Sequence, residues 1–114
     1  MSKCAWIVSL TPEEAAAKVI DSEFANFLHM DLIQIDEQRK VITLVFEKYF
    51  MRVEGRAGVT LIIENMKGQT EVRVITSGVG RGMIFGFDWG ASNSLIGDVR
   101  NYLSQYILEE KELQ

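Results

Sequence analysis

"MDLIQIDEQRKVITLVFEKYFMRVEGRAGVTLIIENMKGQTEVRVITSG", Met30 to Gly78, is the stretch whose reading decides the fold. It is dense in Val, Ile, Thr, Phe and Tyr, which suit a pleated, half-buried surface. It is cut at regular intervals, at Asp36-Glu37-Gln38-Arg39, at Glu54-Gly55-Arg56 and at Lys67-Gly68-Gln69. Short turns between β-favouring runs mean hairpins. The segment reads as an antiparallel meander, with strands near 29–35, 40–52, 57–66 and 70–78.

Upstream, "SLTPEEAAAKVIDSEFANFL" carries a helix start. Thr11 precedes Pro12, and Glu14 stands three residues on, the pattern of a capping box in which side chain and backbone serve each other. Pro12 at the first helical position forfeits nothing, since its amide would have no partner there. Val19, Ile20, Phe24, Phe27 and Leu28 recur at helical spacing, opposite Lys18, Asp21 and Ser22. A helix over about 12–27 is predicted. Before it, Cys4, Trp6, Val8 and Leu10 alternate with Lys3, Ala5, Ile7 and Ser9, the mark of a first strand with one side packed.

Downstream, "LIGDVRNYLSQYILEEKELQ" places Leu95, Val99, Tyr102, Leu103, Tyr106 and Ile107 on one helical face. Asp98, Arg100, Asn101, Gln105 and Glu109 take the other. A second helix over about 92–110 is expected, with Ser92, Asn93 or Ser94 as its cap. The order is therefore β-α-β-β-β-β-α, an α+β fold in one domain over residues 1–114. A curved antiparallel sheet would be packed on one face by both helices. The order resembles a reduced helix-grip arrangement, in which a sheet wraps a C-terminal helix and leaves an apolar cavity.

Composition narrows the partners. The chain has 114 residues and a net charge of −4. That balance argues against a nucleic-acid binder, which usually presents a basic face. It equally disfavours an anionic membrane surface. One cysteine, Cys4, forbids an intrachain disulfide and points to a reducing compartment. The N-terminal apolar run is too short for a signal peptide or a membrane span, so a cytoplasmic protein is expected.

"SGVGRGMIFGFDWGASNS", Ser77 to Ser94, holds five of the nine glycines. It is no dinucleotide fingerprint, because Met83 stands where the last glycine belongs, and no glycine is followed by Lys as a phosphate-binding P-loop requires. Against the RNA-recognition strand pattern only Arg81, Gly82 and Phe85 match. The better reading is backbone that must bend past Met83, Ile84, Phe85, Phe87 and Trp89, with Asp88 capping the next helix or pairing with Arg81. Arg81, Phe87, Asp88 and Trp89 are retained as a candidate ligand or loop site. The Gly86–Ala91 core, G-F-D-W-G-A, resembles a loop in a small uncharacterised bacterial family, a domain of unknown function. The Thr-Pro-Glu-Glu helix start and the strand-rich middle fit the same outline. The resemblance implies no activity, cofactor or catalytic residue.

Other chemistries find little support. His29 is the single histidine, so with Cys4 alone no Cys/His metal cluster forms. A Cys4–His29 nucleophile pair is the one formal constellation, and a cysteine on an apolar strand is usually inert packing. Arg52 and Arg56, beside the Glu54-Gly55 turn, suit an anion but read more simply as solvated turn charges. No cofactor, metal or catalytic residue is assigned, and an enzyme is the least favoured class. The leading expectation is a non-catalytic binder of a small apolar ligand between the sheet and the C-terminal helix. Trp6, Phe24, Phe27, Phe85, Phe87 and Trp89 would supply the pocket. The alternative is a homo-oligomeric interaction module. Strand 40–52 is apolar on both faces, Val41, Val45 and Tyr49 on one and Ile42, Leu44 and Phe46 on the other. Two helices cover one face at most, so a homodimer is expected.

Overall fold

The computed structural model describes residues 2–51, 55–80 and 93–112. The elements run β1 (Ser2–Val8), α1 (Pro12–Asp21), β2 (Asn26–Gln34), β3 (Lys40–Phe50), β4 (Gly55–Glu64), β5 (Thr70–Gly80), α2 (Asn93–Leu103), a 3-10 turn (Ser104–Tyr106) and β6 (Ile107–Glu112). The six strands make one sheet in the order β2-β3-β4-β5-β1-β6, every neighbouring pair antiparallel. This is the expected α+β arrangement with one strand added at its end.

The hairpins are pinned by their turns. Asp36 Oδ1 accepts from the backbone N–H groups of Gln38 and Arg39 at 2.9 and 2.7 Å, and Oδ2 accepts from Arg39 Nε at 2.7 Å. Those bonds favour the carboxylate and hold Asp36 down at about 2. At the β4–β5 turn Gly68 takes φ +89°, where a side chain would be strained. Asn65 in the same turn accepts from Lys40 N–H at 2.8 Å and donates to the Gln38 carbonyl at 2.9 Å, so the two turns are tied together.

The α1 start is as read. Glu14 N–H donates to Thr11 Oγ1 at 3.1 Å, and Thr11 N–H donates to Glu14 Oε1 at 2.9 Å. Its end is earlier than the predicted residue 27. Ser22 Oγ donates back to the Val19 carbonyl at 2.6 Å, and Glu23 swings to φ 54°. The chain then drops Phe24 onto Phe46, with ring centroids 4.9 Å apart. Phe27 and Leu28 belong to β2, not to the helix. The long β3 needs a partner strand on that side, and ladder pairing overrides a helical periodicity that was coincidental there.

The C-terminal helix is shorter too. Ser104 Oγ donates to the Asn101 carbonyl at 3.1 Å as the helix tightens into its 3-10 turn. Residues from Ile107 then pair with β1, whose outer amides would otherwise lack partners. Leu95, Val99 and Leu103 are fully buried as expected, whereas Tyr102 faces solvent.

Both helices cover one face of the sheet, α1 over β3 and β4, α2 over β1 and β5, and they touch each other. The core between them holds Trp6, Val8, Ala15, Val19, Phe24, Ile42, Leu44, Phe46, Val59, Leu61, Ile63, Val72, Val74, Leu95, Val99 and Leu103. Of the two apolar sets on β3, Ile42, Leu44 and Phe46 are therefore core, while Val41, Val45 and Tyr49 lie on the face without helices. Lys40 of β3 pairs with Glu13 of α1, and Lys48 approaches Asp98 of α2 at 3.9 Å.

Candidate functional site

Three surfaces hold the chemistry that the described residues offer. The first is the bare face of the sheet at β5, β1 and β6. Glu71 is only 8% exposed, although it points away from the helices. It accepts from Arg73 Nε at 2.6 Å and from Lys111 Nζ at 3.2 Å. Burial pushes the Glu71 carboxyl upward, but the bonds from Arg73 and Lys111 outweigh it and the net shift is downward. The register places Ile7 opposite Glu71, and Ala5 opposite both Arg73 and Lys111, so the trio flanks two buried apolar side chains. Each carboxylate bond has a cation at its other end and no unmet partner, which makes the trio a clamp for β6. The i, i+2 pair Glu71/Arg73 is legible in the sequence, but Lys111 arrives from a strand that helical periodicity had hidden.

A second feature is an open groove of about 440 Å³ between β1, β6 and α2, lined by Cys4, Trp6, Ile96, Arg100, Glu110 and Lys111. It lies at the margin of the layer where the sequence anticipated a cavity. The interior of that layer is filled by Leu95, Val99 and Leu103. Arg100 Nε donates to Glu110 across the groove. The Cys4 thiol is pushed up to about 11 by burial, with the Glu110 charge adding to it. It is therefore a protonated thiol at neutral pH and a poor nucleophile.

Cys4 and His29 do not meet. Their strands are separated by β3, β4 and β5, four strand spacings of about 4.8 Å, or roughly 19 Å. Cys4 lies against the helix-side core, and His29 is opposite Val45 on the bare face. Among the described residues no group of three or more His, Cys, Asp or Glu side chains converges to hold a metal. Arg56 is exposed and pairs with Glu47 at 3.3 Å.

The third surface is the edge strand β2. All nine of its residues are exposed. Phe27, Leu28, Met30, Leu32 and Ile33 lie between 43% and 56% exposed, with Ile35 just beyond at 50%. Among the described residues, β2 pairs with β3 alone. Ile33 continues into the bare-face set Val41, Val45, Ile62 and Ile75, all partly exposed. Sequence reasoning placed a strand here, near 29–35, but gave its first residues to the helix and did not say which strand lies at the edge.

Of the glycine-rich run, Gly78 and Gly80 lie in β5, opposite Ala57 and Gly55. The candidate residues Arg81, Phe87, Asp88 and Trp89 lie outside the described residues, as does Arg52. No described helix is long and apolar enough to cross a membrane.

No curated protein and no solved structure matches the chain. A family model does, over residues 13–107, which takes in α1 from its second residue, the whole meander, α2 and the first residue of β6. The chain belongs to the family of unknown function DUF6054.

Proposed function

We propose that this chain is a protein-interaction module that associates with itself, using β2 and the adjoining bare part of the sheet. The observation that carries the reading is the exposure of β2 along its whole length despite its five large apolar side chains. A long apolar edge strand is a template for pairing with another chain, and proteins normally blunt such edges. The opposite edge of this same sheet is blunted: β6 reads Ile-Leu-Glu-Glu-Lys-Glu. Guarding one edge with charge while leaving the other apolar supports a docking role for the second. A two-fold homodimer is the simplest assembly for a self-complementary surface. Light scattering coupled to size exclusion tests it directly. A mass of two chains at micromolar concentration is expected, and a single-chain mass would end the reading.

A second reading has one observation in its favour, the groove between β1, β6 and α2. Trp6, Cys4 and Ile96 give it an apolar floor, and the Arg100–Glu110 ion pair gives it a polar rim. That combination suits a small amphipathic ligand. Native mass spectrometry of freshly purified protein would then show a co-purified adduct. A clean protein mass across several preparations would count heavily against it.

A further inference from the structure

The five residues at the centre of β2 are Leu28-His29-Met30-Asp31-Leu32. Read outward from Met30, the positions one step away are an imidazole and a carboxylate, and the positions two steps away are both leucine. A two-fold axis through Met30, antiparallel, sets His29 against the second copy's Asp31 and Leu28 against the second copy's Leu32. It does so twice, once on each side of Met30. In that register the segment is complementary to itself.

The backbone agrees with that axis. Ile35 N–H donates to the Arg39 carbonyl at 2.9 Å where the β2–β3 hairpin closes. The amide and carbonyl of one residue point to the same side of a strand, and the side alternates along it. Ile33 and Asp31 therefore turn their polar groups to β3, and Leu32 and Met30 turn theirs outward. A two-fold antiparallel pair needs its central residue to offer both groups outward, as Met30 does. His29 and Asp31 stand opposite Val45 and Thr43 on the bare face, so their side chains meet those of the second copy on one side of the joined sheet. Met30 and Leu32, opposite Leu44 and Ile42, meet theirs on the helix side. The register shift between Phe27 and His29 falls on Leu28 and ends the straight part of the edge, so the regular part of the shared ladder runs from His29 to Asp31 in each copy.

We propose that two copies of the chain join by antiparallel β2–β2 pairing centred on Met30, locked by reciprocal His29–Asp31 contacts, to make one continuous sheet of twelve strands. This rests on the self-association reading and names its register.

The test is sedimentation velocity on the full chain and three variants, each checked for folding by circular dichroism. Asp31→Lys places a cation against His29 twice per interface, and should raise the dimer dissociation constant about tenfold or more. His29→Glu with Asp31→Lys restores opposite charges and should restore the dimer. Ile75→Glu, on the bare face three strands from β2, should leave it intact. If Asp31→Lys dimerises like the wild type, or the double variant fails to recover, the register is overturned. If Ile75→Glu alone dissolves the dimer, the chains meet face to face; the register falls and self-association stands. A wild-type chain that is monomeric throughout overturns both.

Discussion

Val45 and Phe46 are consecutive in β3 and stand on opposite sides of the sheet, Phe46 sealed under the helices at 1% exposure and Val45 on the bare face. One residue of displacement separates a core position from a surface position, because side chains alternate along a strand. Phe46→Glu should unfold the chain, and Phe46→Ala should cost about 3–5 kcal/mol. Val45→Glu should stay folded. Urea titration followed by tryptophan fluorescence separates the two, and an unfolded Val45→Glu would mean that the faces are assigned the wrong way round.

Thr11→Ala removes one half of a reciprocal cap and should destabilise the chain by about 1 kcal/mol. The same titration reads it. No change in midpoint would mean that the cap is dispensable to α1.

Glu23 holds a left-handed backbone, φ 54°, with its side chain in solvent. A residue with a Cβ pays roughly 1 kcal/mol for that conformation and glycine does not. Glu23→Gly should therefore raise stability by up to about 0.5 kcal/mol after the added freedom of the unfolded chain is subtracted. Thermal unfolding at neutral pH checks the sign. A lower midpoint would show that Glu23 has a stabilising role beyond its backbone angle.

Asp36 gives the β2–β3 turn an acid limit. Its carboxyl is held at about 2, below the ordinary 3.8, by the N–H groups of Arg39 and Gln38 and by the Arg39 side chain. A depressed pKa means stability that is present above the ordinary value and lost as pH falls toward the folded one. The turn should loosen between about pH 4 and pH 2. Asp36→Asn should weaken the turn at neutral pH and flatten that dependence, which amide hydrogen exchange in residues 34–40 would reveal.

Much of the fold was legible in the sequence, and the failures share a cause. The meander, the Thr11–Glu14 cap and the core positions of α2 depend on nearby residues, so local pattern found them. Phe27 and Leu28 were misassigned because their spacing extends the α1 stripe by chance. Ile107 was misassigned because it extends the α2 stripe in the same way, and Leu108 followed it into the expected helix span. In both places the deciding partner, β3 or β1, is remote in sequence, and nothing local announces it. The candidate site suffered accordingly. A strand whose place at the edge is not written locally conceals its bare apolar row, and Lys111 on an unexpected strand conceals the clamp on Glu71. The separation of Cys4 from His29 also needed the strand order, which alternation alone does not supply.

The place of β1 in the sheet has a kinetic consequence. Strand β1 sits between β5 and β6, so its partners lie roughly sixty residues or more away. Strands β2 to β5 can zip as successive hairpins, each closing a short loop, while β1 must wait for a much longer closure whose entropic cost is met late. Large-to-small substitutions in the β3–β4 hairpin, such as Leu61→Ala, should slow folding, whereas Ile7→Val in β1 should mainly hasten unfolding. Until the last strand is made, Trp6 and Val8 have no finished floor to pack on. The outer side of β1 thus stays unpaired until residues 107–112 reach it, and the step that covers it is the one that completes the sheet.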